Sequence, residues 1–133
     1  MEQEYYDGLV NVCLQRAEEL LTEAIDLLEK NAYKSANNRA FYVIEKCIKA
    51  LLALKQMDVT THSGVLKQFK FLCISKGDGT FTADDYQIIA RAEQVRKASD
   101  YDDFYIASEE EAKQQVESAK YFVEKVVKYV ESL

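Results

Sequence analysis

Only one imidazole is present in these 133 residues, that of His62. Any acid–base chemistry that a histidine performs near neutral pH has to be performed there. Its neighbours Thr60, Thr61 and Ser63 supply hydroxyls at a predicted helix start, and hydroxyls beside free helix-terminal amides suit an anion. The same residues also serve a plainer purpose: Thr61 or Ser63 caps the helix while His62 packs or bonds to a loop carbonyl. Arg91 and Arg96 lie on a predicted later helix, Arg96 in its last turn, where the helix dipole favours a cation and Asp100 follows at i+4. If exposed, such a pair is worth a few tenths of a kcal/mol. Arg39 stands inside a strongly apolar run, where an unpartnered guanidinium costs several kcal/mol, so it either points outward or is fully paired.

Beyond Arg96 comes a stretch both acidic and aromatic, Asp100-Tyr101-Asp102-Asp103-Phe104-Tyr105-Ile106-Ala107. In one reading Tyr101, Phe104 and Tyr105 fold onto the body of the protein while the carboxylates stay wet or pair with Arg39, Arg91 or Arg96. In the other the stretch lines a shallow cleft, its rings stacking a base and the arginines holding the phosphate. It is not a calcium loop: with Asp100 first, Phe104 and Tyr105 fall where an oxygen ligand and a glycine are required. Nor does Gly77-Asp78-Gly79 cradle phosphate, because no lysine or serine follows at the needed spacing and no strand precedes it.

Cys13, Cys47 and Cys73 are far apart and lie in apolar helical registers, which predicts three buried reduced thiols of a cytoplasmic protein. No pair has zinc-ligand spacing, so neither a metal nor a cofactor is expected. The charge is −6, with 23 acidic against 17 basic side chains. The averaged field therefore repels phosphate, and a nucleic-acid site would have to be local, two or three cations in a cleft. Met1 is followed by Glu2, Glu4 and Asp7, which predicts no signal peptide, and no window approaches the roughly 20 apolar residues of a membrane span.

The elements that must position these residues are helices. Proline is absent and glycine occurs four times, so breakpoints are few. The run Ala36–Leu54 is apolar nearly all round and predicts a central helix covered on several sides, with Ala36 and Ala40 admitting a close neighbour. Before it, Val10, Cys13, Ala17, Leu20, Leu21, Ala24 and Leu28 form one stripe of a first helix from Glu2 to about Asn31, the short link predicting an antiparallel hairpin. A third helix runs from His62 or Ser63 to Ser75 with Val65, Leu66, Phe69, Leu72 and Cys73 inward. A fourth opens with the capping pair Thr82 and Asp85, carries Ile88, Ile89, Ala92 and Val95 and ends near Ser99. Ser108-Glu109-Glu110-Glu111 caps a fifth, whose Ala112, Val116, Ala119, Val123, Val126, Val130 and Leu133 make a heptad seam, either bundle core or dimer contact. The expectation is one all-α domain over residues 1–133, an antiparallel up-and-down bundle of about five helices.

Three phrases, Asn38-Arg39-Ala40-Phe41-Tyr42, Thr61-His62-Ser63-Gly64-Val65 and Arg96-Lys97-Ala98-Ser99-Asp100-Tyr101-Asp102, occur in that order. Together they resemble the HEPN family of small helical domains. Ribonuclease members of that family carry, at this helix end, an arginine followed by four to six residues and then a histidine. The arginine holds the scissile phosphate and the imidazole takes the proton of the attacking 2′-hydroxyl. Arg96 matches the arginine, but Lys97–Asp103 contains no histidine. Tyrosine and aspartate titrate about three units from neutral on either side, so neither Tyr101 nor Asp100 replaces an imidazole without a large shift.

The resemblance implies a nucleotide- or RNA-binding module lined by Arg39, His62, Arg96, Asp100 and Tyr101. It further implies a homodimer and a minimal nucleotidyltransferase as partner in a toxin–antitoxin-like pair. Two alternatives stand beside it: a metal-independent endoribonuclease in which His62 and Arg96 are the working pair, and a helical dimerisation scaffold. The ribonuclease alternative requires His62 and Arg96 to lie within roughly 10 Å, since one phosphate must reach both.

Overall fold

A computed structural model describes residues 1–133 as an all-helical bundle: α1 (Glu2–Glu29), α2 (Tyr33–Leu54), α3 (His62–Gln68) running directly into a π-helical segment (Phe69–Ser75), α4 (Ala83–Tyr101) and α5 (Glu109–Glu131). The expected all-α class and the five helices form. No helix is long and apolar enough to cross a membrane.

Helix α2 is the centre because its sequence leaves it almost no polar face. Thirteen of its residues are buried, more than in any other element, and every other helix packs against it. Ala36 lies with Ala24 of α1 and Val116 of α5, while Ala50 and Ala53 lie with Val10 and Cys13. The start of α2 therefore meets the end of α1, and the small side chains let the axes close up as the sequence predicts. The link is tight: Asn31 takes a positive φ of 62°, a conformation asparagine tolerates, and Ala32 N–H donates to Leu27 O at 2.9 Å.

Helix α5 completes the cover. Ala112, Val116, Ala119, Phe122 and Val126 are buried, so its seam serves the core. Phe122 belongs to that core although the heptad reading omits it, and Leu133 is 74% exposed where that reading places it on the seam. Burial of the three thiols drives their acidity down, pushing Cys47 up to about 12 and Cys73 to about 11.

The third helix departs from expectation in kind. From Phe69 it widens into a π-helix, closed by Lys76 N–H donating to Phe71 O at 3.0 Å. Inward positions here fall four apart, Phe69 and Cys73, a spacing that the wider turn keeps on one side. The chain turns away after the segment at Gly77, where a Cβ would come to 2.0 Å from the Cys73 carbonyl oxygen; only glycine fits.

Helix α4 is anchored at its start by a carboxylate with three partners. Asp85, 1% exposed, accepts from Thr82 N–H at 3.0 Å, Tyr121 O–H at 2.6 Å and Lys125 Nζ at 2.8 Å. Burial alone would push this carboxyl up, but the Lys125, Tyr121 and Thr82 hydrogen bonds outweigh it and hold it below the usual carboxylate range. A depressed carboxyl contributes stability above its unfolded pKa near 4, and that contribution is lost as pH falls through the folded value. Asp85→Asn should therefore lower stability at pH 7 by about 1–3 kcal/mol. In thermal unfolding, the gap to wild type should shrink below about pH 4; a gap constant over that range would contradict this role.

Candidate functional site

The far end of α4 reaches the start of α2, and there the polar residues converge. Arg96 is 3% exposed, with its Cζ 4.9 Å from the Phe41 ring centroid and 6.0 Å from those of Tyr42 and Tyr101. These rings supply part of what water would otherwise give the guanidinium. Asp100 supplies more, accepting from Arg96 NH1 at 3.3 Å. The same carboxylate accepts from Asn38 Nδ2 at 3.0 Å, and Asn38 Oδ1 in turn accepts from Arg39 NH1 at 2.8 Å. Arg39 Nε donates to Glu23 on α1 at 3.0 Å, so this half-exposed arginine is paired as its sequence position requires.

Beneath this ladder, buried Asn37 donates to Ser99 Oγ at 3.2 Å. Asn37 Oδ1 and Arg96 Nε are buried without partners. Each such group costs about 1–3 kcal/mol, and two together mark a region whose arrangement is not set by stability alone. Lys34, Ser35, Asn38, Arg39, Ser99 and Asp100 line an open cleft of about 330 Å³ above them.

His62 packs against the same aromatic pair. The seven residues between α2 and α3 double back along α2, and Thr61 caps α3 by accepting from Gly64 N–H at 3.1 Å. A Cβ on Gly64 would lie 2.6 Å from Thr61 Oγ1, so glycine lets the cap close. The capping role expected of Thr61 is thus filled, yet His62 does not turn to a loop carbonyl. Its ring centroid lies 5.5 Å from that of Phe41 and 5.7 Å from that of Tyr42, and its Nδ1 pairs with Glu45 Oε2. A carboxylate only accepts, so Nδ1 carries the hydrogen, and in the neutral imidazole Nε2 is then the acceptor. With Arg96 and His62 both against Phe41, imidazole and guanidinium lie within about 10 Å of each other.

The structure thus brings Arg39, His62, Arg96, Asp100 and Tyr101 to one end of the bundle. Two expectations about the acidic stretch need correction. Asp100 and Tyr101 are the last turn of α4, not loop, and the rings of Tyr101 and Phe104 do not fold onto the bundle: they are 77% and 95% exposed. Only Tyr105 is partly covered, because a helix ending at Tyr101 and restarting at Glu109 leaves too little chain to lay all three rings inward. Arg91 pairs with Glu111 at 3.0 Å and takes no part in the cleft.

Glu45, Phe41, Tyr42, Asn37, Asn38 and Ser99 were not assigned roles by sequence reasoning. A signal for Glu45 existed. It falls four residues after Phe41 and three before Ile48, both fully buried, so a carboxylate there needs a cationic or donor partner.

Comparison with known proteins gives a HEPN domain match over residues 10–132. Two proteins of Methanocaldococcus jannaschii, each named "Putative toxin", are similar to this chain. One is 30% identical over 117 residues, covering 88% of this chain and 78% of the relative. The other is 30% identical over 125 residues, covering 93% and 90%. A protein of Thermotoga maritima named "UPF0332 protein" is 30% identical over 127 residues, 96% of this chain and 95% of the relative.

The Glu45 pairing is open to direct observation. Nitrogen-resolved NMR at neutral pH should find the His62 proton on Nδ1, and Glu45→Leu should abolish that preference while the fold persists, since its surroundings are apolar. A wild-type imidazole protonated only on Nε2 would contradict the arrangement.

Proposed function

This chain belongs to the HEPN family, and from that premise we propose that it is the toxin-like member of a two-protein system. In this reading it binds RNA or a nucleotide at the α2–α4 end of the bundle and acts with a minimal nucleotidyltransferase as its partner. We place it in the cytoplasm as a homodimer; the exposed Phe104 and Ile106 provide an apolar surface for association.

The observation that carries the reading is the position of Asp100. Its carboxylate sits between Arg96 and Asn38, where a phosphate would find a guanidinium and an amide donor already aimed. Asp100 thus fills an anion position, and an incoming phosphate has to displace it. Tyr101, exposed at the rim and 6.0 Å from Arg96, offers a face for a base.

A second reading, metal-independent endoribonuclease, is favoured by the Glu45–His62 pair. A base oriented by a buried carboxylate, with a guanidinium close by, is the constellation for transphosphorylation of RNA. The 2′-oxygen attacks the adjacent phosphorus as its proton passes to His62 Nε2, the bond to the 5′-oxygen breaks, and that oxygen takes a proton from solvent. The products are a 2′,3′-cyclic phosphate and a 5′-hydroxyl.

Binding of a labelled RNA should weaken at least about tenfold in Arg96→Ala, the loss of one charge-assisted contact, and strengthen in Asp100→Asn. Equal binding by all three proteins would overturn the assignment of the site. Cleavage that persists in a chelator and disappears in His62→Ala and in Arg96→Ala would establish the second reading; RNA left intact by wild type removes it. For the partner, the reading frame beside this one should encode a small nucleotidyltransferase that co-elutes with this protein, and failure to associate would remove that part.

A further inference from the structure

Between Asp58 and Asp78 the chain carries no acidic residue, only Lys67, Lys70 and Lys76, although the protein as a whole has a charge of −6. This stretch is α3 and the π-helical segment, and it lies against α4. Where they meet, a groove of about 450 Å³ is lined by Ser63, Lys67, Lys70, Phe71, Tyr86 and Glu93, among others. Lys67 and Lys70 are exposed, and Phe71 is 48% exposed, unusual for a ring with a core beneath it. Each aromatic face is already occupied by a cation: Lys70 Nζ stands 5.1 Å from the Tyr86 ring centroid and Lys76 Nζ 5.1 Å from that of Phe71. The one carboxylate in the groove, Glu93, pairs through Oε1 with Lys97 at 3.1 Å, while its Oε2 is buried without a partner.

We infer that this groove is a track for single-stranded RNA running towards the His62–Arg96 pair. Three features carry the inference. Ammonium groups interleaved with an exposed ring, Phe71, and a half-buried one, Tyr86, are what an unpaired strand requires, lysines for its phosphates and ring faces for its bases. The bases would take the ring faces as the lysines swing to the phosphates. The groove also lies beside the His62–Arg96 pair: Ser63 in its lining follows His62, and Glu93 in its lining is one turn before Arg96 on the same face of α4. From Tyr86 to Arg96 the helix rises about 15 Å, enough for a short run of nucleotides. Finally, a local basic strip is the only way an acidic protein gathers a polyanion. Duplex RNA, whose bases are stacked inside, gains nothing from Phe71 and Tyr86. This inference rests on the proposed RNA-binding reading and adds the substrate's strandedness and its path.

The test is fluorescence anisotropy of a labelled oligouridylate of about twelve nucleotides, as single strand and annealed to its complement, over a range of salt. Wild type should prefer the single strand. Lys67→Glu/Lys70→Glu should weaken binding at least about tenfold and flatten the logarithmic salt slope by about 1 to 1.5. Phe71→Ala should cost about tenfold with the slope unchanged, while Lys113→Glu/Lys120→Glu on α5 should bind as wild type, all variants retaining helical circular dichroism. If Arg96→Ala loses binding but the groove variants do not, the groove falls and the pocket stands. If wild type binds no strand, both fall. If the groove variants lose association with the nucleotidyltransferase and not with RNA, the groove is a protein interface and the inference is overturned.

Discussion

A guanidinium taken almost wholly out of water has to be compensated, and the compensation of Arg96 organises everything around it. Two rings of α2, Phe41 and Tyr42, form the surface on which it lies, and Asp100 one turn later on its own helix supplies the counter-charge. Removing one member of such a group leaves an uncompensated buried charge, so its parts are held together far more firmly than a surface ion pair would hold them. The same rings also seat His62, and through Asn38 the same carboxylate reaches Arg39. One buried cation thereby ties α2, α3 and α4 into a common corner.

The rest of the bundle holds that corner rigid. Helix α2 is buried along most of its length, so Phe41 and Tyr42 project from an element that cannot rotate without disturbing the whole core. Helix α4 is fixed at its far end by the Asp85–Tyr121–Lys125 cluster, which sets its axis and hence where Arg96 and Asp100 arrive. The chemistry at the corner is a competition. Asp100 holds a place that a phosphate can take, and Lys70 and Lys76 cover ring faces that bases can take. In the proposed reading, a polyanion has to displace these pairings to reach the cationic groups.

Much of the fold was legible because helix formation is local and periodic. The stripe of α1, the enclosure of α2, the asparagine stop at Asn31 and the caps at Thr61, Thr82 and Ser108 all follow from side-chain spacing and are all present. The outward pairing of Arg39 followed from the cost of the alternative. What spacing does not carry is pairing across the bundle. Glu45 and His62 are 17 residues apart on different helices, and no period connects them. The π-helical widening at Phe69, whose buried ring lies 6.3 Å from that of Phe122 on α5, is not something a 3.6-residue template registers. The aromatic run after Arg96 resembled core by composition, yet the short connection to α5 leaves Phe104 and Ile106 in solvent.

The account depends on His62 and Arg96 addressing one and the same phosphate. The most direct measurement is an NMR titration of the wild-type protein, following the imidazole nitrogens of His62 and the guanidinium N–H of Arg96. The probe is a short single-stranded RNA in which hydrogen replaces the central 2′-hydroxyl, so that nothing is cleaved. The account predicts that both side chains shift along a single saturation curve, with Asp100 moving alongside them; a response from one without the other, or two curves with separate midpoints, would contradict it.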